Sequence, residues 1–126
     1  MKLLLLGFGN VGRRLAEILV DRASYPGLAD LDVSIVGITT GSRGGIADPD
    51  GLDLRRVLKE QGRFPLTLSS DEALHTLDYD VAVEMTPLDI QGRGAAAISH
   101  VRAAMERGKH VITCNKGPIA WAWRWS

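Results

Sequence analysis

Lys2-Leu3-Leu4-Leu5-Leu6-Gly7-Phe8-Gly9-Asn10-Val11-Gly12 follows the initial methionine, and its reading decides the fold. Lys2 to Leu6 is a short continuous apolar run ended by Gly7, the pattern of a strand buried on both faces of a parallel sheet. From Val11 the period changes. Val11, Leu15, Ile18 and Leu19 recur at the spacing of one helix face while Arg13, Arg14 and Glu17 point elsewhere, which predicts a helix from about Asn10 to Arg22. Strand, glycine turn and helix thus follow one another without a gap.

Gly7 to Gly12 also fits G-x-G-x-x-G, a weak pattern alone and a specific one in this strand-turn-helix setting. Gly7 permits the tight turn, Gly9 lets the backbone approach a pyrophosphate, and Gly12 lets helix and strand pack closely. Unpaired amides and the positive dipole end of the helix would face the phosphates, with Phe8, Asn10 and Val11 completing the loop. The alternative is a glycine-rich turn that holds no ligand.

Working outward, Tyr25-Pro26-Gly27 breaks the first helix, and Val33 to Thr39 is rich in β-branched residues, as a central strand should be. Gly41 to Gly51 carries four glycines and one proline in eleven residues and reads as a loop. Leu54, Val57 and Leu58 repeat at helical spacing until Gly62, and Pro65 to Leu68 allows a short strand or extended segment. Ser69 and Glu72 form a capping box for a short helix through Leu77. Asp80 to Glu84 is another buried-type strand, followed by the loop Thr86 to Asp89. Ile98, Val101 and Met105 mark a helix closed by Gly108, and His110 to Thr113 is a last strand. This alternation predicts a single-domain α/β fold over residues 1–126, a Rossmann-type doubly wound parallel sheet in three αβα layers.

Composition narrows the partners. Fifteen basic residues balance fifteen acidic ones, which gives no field to steer the chain toward nucleic acid or an anionic membrane. No apolar run approaches the roughly 20 residues that span a bilayer, and nothing resembles a secretory signal, so a cytoplasmic location is expected. Cys114 is the single cysteine and is expected to be a small buried apolar residue. With three scattered histidines it gives no metal-ligand spacing, so no metal is expected. His75, His100 and His110 read as surface or satisfied residues.

Choice between NAD and NADP turns on the end of the second strand, where a carboxylate would bind the ribose 2′-hydroxyl. The chain has Thr39-Thr40-Gly41-Ser42-Arg43 there, with no acid before Asp48. Thr40 and Ser42 can hydrogen-bond, and Arg43 offers a planar, permanently charged fork for a 2′-phosphate, with Lys59 a more distant cation. NADP is therefore favoured and NAD remains possible. Arg43 as a solvated loop residue is the competing reading.

Three stretches, Gly7 to Gly12 (GFGNVG), Gly44 to Asp53 (GGIADPDGLD) and Thr113 to Ala120 (TCNKGPIA), resemble homoserine dehydrogenase. The third looks like that family's T-x-N-K-x-P motif, and Glu84 to Pro87 (EMTP) sits where the family has its loop against the nicotinamide. The resemblance implies that Met85, Thr86 and Pro87 line the nicotinamide side and that Asn115 and Lys116 sit where cofactor meets substrate. It also implies interconversion of homoserine and aspartate semialdehyde, with Lys116 binding or polarising the reacting oxygen. Asn115-Lys116-Gly117-Pro118 reads equally as the cap and first turn of a helix. Members resemble one another in carrying a second, larger substrate-binding and dimerisation region with the main catalytic residues. This chain, as a truncated piece, is expected to bind nucleotide without turning over.

Trp121, Trp123 and Trp125 form an apolar end, with Trp121 and Trp125 on one helix face. Either a second copy covers them, giving a homo-oligomer, or they fold back on their own sheet. Sibling enzymes with similar N-terminal architecture lack the NKGP ending. A freestanding nucleotide-binding or redox-sensing module is the rival from another class, and fold alone does not separate it.

Overall fold

The computed structural model describes residues 1–41, 43–60, 63–86 and 95–114. Among these described residues ten elements follow one another: β1 (Lys2–Leu6), α1 (Asn10–Val20), a 3-10 turn (Arg22–Ser24), β2 (Ser34–Thr39), β3 (Gly45–Ala47), α2 (Leu54–Lys59), α3 (Ser70–Thr76), β4 (Val81–Glu84), α4 (Ala95–Glu106) and β5 (His110–Thr113). The strands form one sheet in the order β3-β2-β1-β4-β5. β1 pairs in parallel with β2 and β4, and β4 with β5, whereas β3 runs antiparallel to β2.

Strand alternation sends side chains to two cores. Leu3, Leu5, Val81 and Val83 meet Ala16 of α1 and Val57 of α2 on one face. Leu4, Leu6 and Ala82 meet Ala73 and Leu74 of α3 and Ala103 and Ala104 of α4 on the other. Continuous burial of Leu3 to Leu6 follows directly, because a central parallel strand has no wet face. The fold is α/β, a mostly parallel Rossmann-like sheet between two helical layers.

Four expectations change. The segment Gly41 to Gly51 is not all loop: Gly45–Ala47 pairs with Gly37 to Thr39 as the sheet's antiparallel edge. Pro65 to Leu68, read as a short strand or extended segment, meets it through a single bridge, Leu66 to Gly45. A three-residue strand is too short for periodicity to reveal, and its glycine is held by the Leu66 carbonyl, which takes the Gly45 amide at 2.7 Å. The first helix packs Leu15 and Leu19 against the core as expected but also buries Gly12 and Ala16, while Val11 is 57% exposed. Small residues let α1 lie close to the sheet, so the helix rolls onto them and away from Val11. That helix also ends at Val20, with Arg22 already in the 3-10 turn. Cys114 is exposed, not buried, on the same side of β5 as the exposed Ile112. The Val111 side of that strand packs against the α3/α4 core instead.

The Ser69 cap is as expected, its side chain accepting from the Glu72 amide at 3.0 Å. No helix among the described residues is long and apolar enough to cross a membrane. Trp121, Trp123 and Trp125 lie outside the described residues, as do Gly62 and the NKGP segment.

Candidate functional site

In the order β3-β2-β1-β4-β5 the chain leaves β1 toward β2 on one side and returns to β4 on the other. Connections above β1 and β4 therefore diverge, and the crevice between them at the strands' carboxyl ends is where open α/β sheets take ligands. A cleft of about 540 Å³ lies there. Its floor is Gly7, Phe8 and Gly9, one wall carries Thr39, Thr40, Arg43, Ser69 and Ser70, and the other carries Met85, Thr86, Ala96 and His100.

The floor needs its glycines for separate reasons. Gly7 sits at φ +101°, and a Cβ there would come within 2.9 Å of the Met85 carbonyl oxygen. Its amide donates to the Thr39 carbonyl at 2.8 Å, and the Met85 amide to the Leu6 carbonyl at 2.8 Å, so β1 is clamped to both neighbours where the turn begins. Gly12 is buried against the Phe8 ring, 3.0 Å from where its Cβ would stand. Gly9 has nothing within 4 Å of a Cβ position, leaving the backbone open to the cleft. It is also the N-cap of α1, an eleven-residue helix whose first amides receive no side-chain cap. Uncapped amides at a positive dipole end, beside open space, fit a diphosphate.

On the β2 wall, Thr39 Oγ1 lies 2.7 Å from Ser70 Oγ, tying the strand end to α3. The Thr40 hydroxyl donates to the Gly44 carbonyl at 2.7 Å and accepts from the Arg43 amide at 2.8 Å, so it shapes the turn that presents Arg43. Arg43 is exposed and reaches the Phe8 carbonyl at 3.4 Å.

The β4 wall holds what periodicity and motif missed. Glu84, fully buried at the end of β4, accepts from the Thr86 amide at 2.8 Å and from the Thr86 hydroxyl. His100 Nδ1 on α4 lies 2.8 Å from its second oxygen. A signal was present: an acid closing an otherwise apolar strand must find donors, and the helix that follows carries a histidine. His75 and His110, by contrast, are exposed.

Gly7, Phe8, Gly9, Thr40, Arg43, Met85 and Thr86 are thus brought to one cleft, as the sequence suggested. Gly12 stands behind the floor, while Asn10 and Val11 line a shallow apolar depression on the outer side of α1. Of these two, only the backbone amides belong to the helix start. Lys59 is exposed on α2 and does not line the cleft. Ser42, Pro87, Asn115 and Lys116 lie outside the described residues. Among the described residues no group of three or more His, Cys, Asp or Glu could hold a metal ion.

Comparison with known proteins agrees with this geometry. Residues 7–123 match the family model described as "Homoserine dehydrogenase, NAD binding domain". The chain is 33% identical over 132 residues to homoserine dehydrogenase of Methanocaldococcus jannaschii, covering 95% of this chain and 38% of that protein. It is 34% identical over 132 residues to the NAD(+)-dependent homoserine dehydrogenase of Pseudomonas canavaninivorans, covering 94% and 36%. The structure of homoserine dehydrogenase from Thermoplasma acidophilum superposes with a TM-score of 0.80 at 27% identity, covering 98% of this chain and 37% of that one. The chain therefore spans just over a third of the length of the relatives it matches. Its strand-turn-helix, its switch-point cleft and the match over residues 7–123 place it in the family of homoserine dehydrogenase NAD-binding domains.

Proposed function

We propose that the chain is the nucleotide-binding unit of a homoserine dehydrogenase, taking NADP in preference to NAD. The observation that carries this is the uncapped start of α1 beneath an open Gly9, at the floor of the switch-point cleft. The pyrophosphate would rest on the amides of that turn, and Gly7 and Gly12 hold the turn in shape. The adenosine side would face Thr40, Ser42 and Arg43. No carboxylate lies between the end of β2 and Asp48 to repel a 2′-phosphate, and the Arg43 fork is exposed beside the cleft floor. That one relative is NAD(+)-dependent makes NAD the alternative to be tested.

The nicotinamide side would meet Met85, Thr86 and Pro87. Bound there, the cofactor supplies or takes a hydride in interconverting homoserine and aspartate semialdehyde. Asn115 and Lys116 are proposed at the junction with substrate, the Lys116 ammonium binding or polarising the reacting oxygen. Turnover is proposed for a protein of the relatives' length, with these residues alone binding nucleotide but not completing the reaction. Calorimetric titration of the chain with NADPH and NADH tests the reading: saturable heat is expected from both, with tighter binding of NADPH. No heat at millimolar nucleotide would remove it.

A further inference from the structure

Glu84 is the buried acid of the cleft wall, with no measurable exposure. A carboxylate withdrawn from water is costly unless its oxygens are satisfied. Thr86 supplies one oxygen with its amide and hydroxyl, and His100 Nδ1 supplies the other at 2.8 Å. Since a carboxylate only accepts, this contact puts a ring proton on Nδ1, and the neutral ring then carries its lone pair on Nε2. Glu84 thereby fixes both the orientation and the tautomer of His100.

The ring is held at the surface of the cleft, its side chain 16% exposed. Along the wall facing the nicotinamide half, the described residues are Met85, Thr86, Ala96 and His100. Two of these are apolar, and the Thr86 hydroxyl donates to Glu84. His100 lines this wall with Nδ1 engaged by Glu84, which leaves Nε2 as the ring's remaining polar atom.

We infer that His100, oriented by Glu84, recognises the nicotinamide-riboside half of the dinucleotide through Nε2, which accepts a hydrogen bond from the carboxamide N–H or a ribose hydroxyl. This rests on the proposed occupation of the cleft by a nicotinamide nucleotide. Glu84 is a positioning residue in this arrangement, and its partner Thr86 ties the loop after β4 to the same carboxylate.

Two substitutions separate the ring nitrogens. His100→Asn keeps an amide nitrogen near the place of Nδ1 and removes the Nε2 position, whereas His100→Gln keeps a polar atom near Nε2 and releases Glu84. Each variant of this chain would be titrated with NADPH, with its 3-acetylpyridine analogue, which lacks the amide N–H, and with 2′,5′-ADP, which lacks the nicotinamide riboside. Expected for His100→Asn are a melting temperature close to that of the unsubstituted chain, unchanged 2′,5′-ADP binding and NADPH binding weakened about 10-fold. His100→Gln should melt lower yet retain most of the NADPH affinity. If the substitution to Asn leaves the analogue's affinity unchanged, the donor is the carboxamide; if it weakens the analogue equally, the donor is a ribose hydroxyl. NADPH affinity unchanged in both variants, or 2′,5′-ADP weakened as much as NADPH, would overturn the inference. Should His100→Asn fail to fold, the substitution to Gln decides: full loss of NADPH affinity with 2′,5′-ADP intact overturns the Nε2 assignment, and retention supports it. An unsubstituted chain that binds 2′,5′-ADP but not NADPH would also sink it, while one that binds neither removes the nucleotide reading of the cleft itself.

Discussion

The guanidinium of Arg43 reaches over the edge of the cleft floor to the carbonyl oxygen of Phe8, Nη2 to oxygen 3.4 Å. At that length the bond is weak, so a phosphate ligand displaces it at little cost. The same side chain is planar, charged and exposed, suited to bidentate contact with a 2′-phosphate. Arg43→Ala should therefore weaken NADPH binding by about 10- to 100-fold, the loss of one or two charge-assisted hydrogen bonds, and change NADH binding by less than about 3-fold. Equal effects on the two nucleotides in a calorimetric titration would assign Arg43 to the loop surface instead.

Two glycines of the same turn should respond in opposite ways. Gly7→Ala places a methyl group against the Met85 carbonyl at φ +101°, so it should lower stability by at least about 2 kcal/mol in urea unfolding. Gly9 has φ −93° and open space around it, so Gly9→Ala should unfold like the unsubstituted chain. Yet its methyl group would occupy the room left for the diphosphate, and NADPH affinity should fall more than about 10-fold. Unaltered affinity in Gly9→Ala would move the phosphate off this turn.

How much of this was legible depends on how each feature is encoded. β1 and β2 were readable because runs of apolar and β-branched residues mark a central strand, β4 and β5 because their short apolar stretches fall between helices and turn signals, and α1 because charges and apolar residues alternate at its period. β3 was not readable, since three residues, Gly45 to Ala47, carry no period and their pairing with β2 is a tertiary fact. The inward face of α1 was read in part: Leu15 and Leu19 do pack on the core, but hydrophobicity favours Val11 where close packing favours the smaller Gly12 and Ala16. Within the cleft, the residues of a contiguous motif were legible. Glu84 and His100 are sixteen positions apart and on different elements, and only the packing of α4 against β4 joins them.

The β3 edge depends on one backbone conformation. Gly44 holds φ +79°, and a Cβ there would fall on the Phe64 carbonyl oxygen and within 2.9 Å of the Leu66 carbonyl oxygen. Gly41, three positions earlier, has nothing within 4 Å. Gly44→Ala should cost at least about 2 kcal/mol and loosen hydrogen-exchange protection at Gly45 and Leu66, whose amides exchange bonds across the bridge. Gly41→Ala should stay within about 0.5 kcal/mol of the unsubstituted chain. Similar melting of the two variants would show that Gly44 carries no strain-relieving role.

Tyr79 gives a test of the second core through pH. Its ring is fully buried, its hydroxyl donates to the Leu74 carbonyl at 2.9 Å, and Arg107 stacks over it at 5.3 Å. Burial pushes the phenol above its ordinary value of 10.0, with Arg107 only partly opposing the shift. The sign follows from proton counting. Above about pH 10 the unfolded chain has released the phenolic proton and the folded chain still holds it, so stability falls as pH rises through that window. Tyr79→Phe lacks this proton, and it does not orphan the Leu74 carbonyl, which also accepts from Arg107 Nη1 at 2.6 Å. The substitution should therefore cost only about 1 kcal/mol near neutral pH. Urea unfolding between about pH 9 and about pH 11 should show the gap between the two proteins closing, because the parent alone must take a proton back up to fold. A gap that stays constant across that range would mean that the folded phenol titrates like a free one, and so that α3 and α4 leave it open to water.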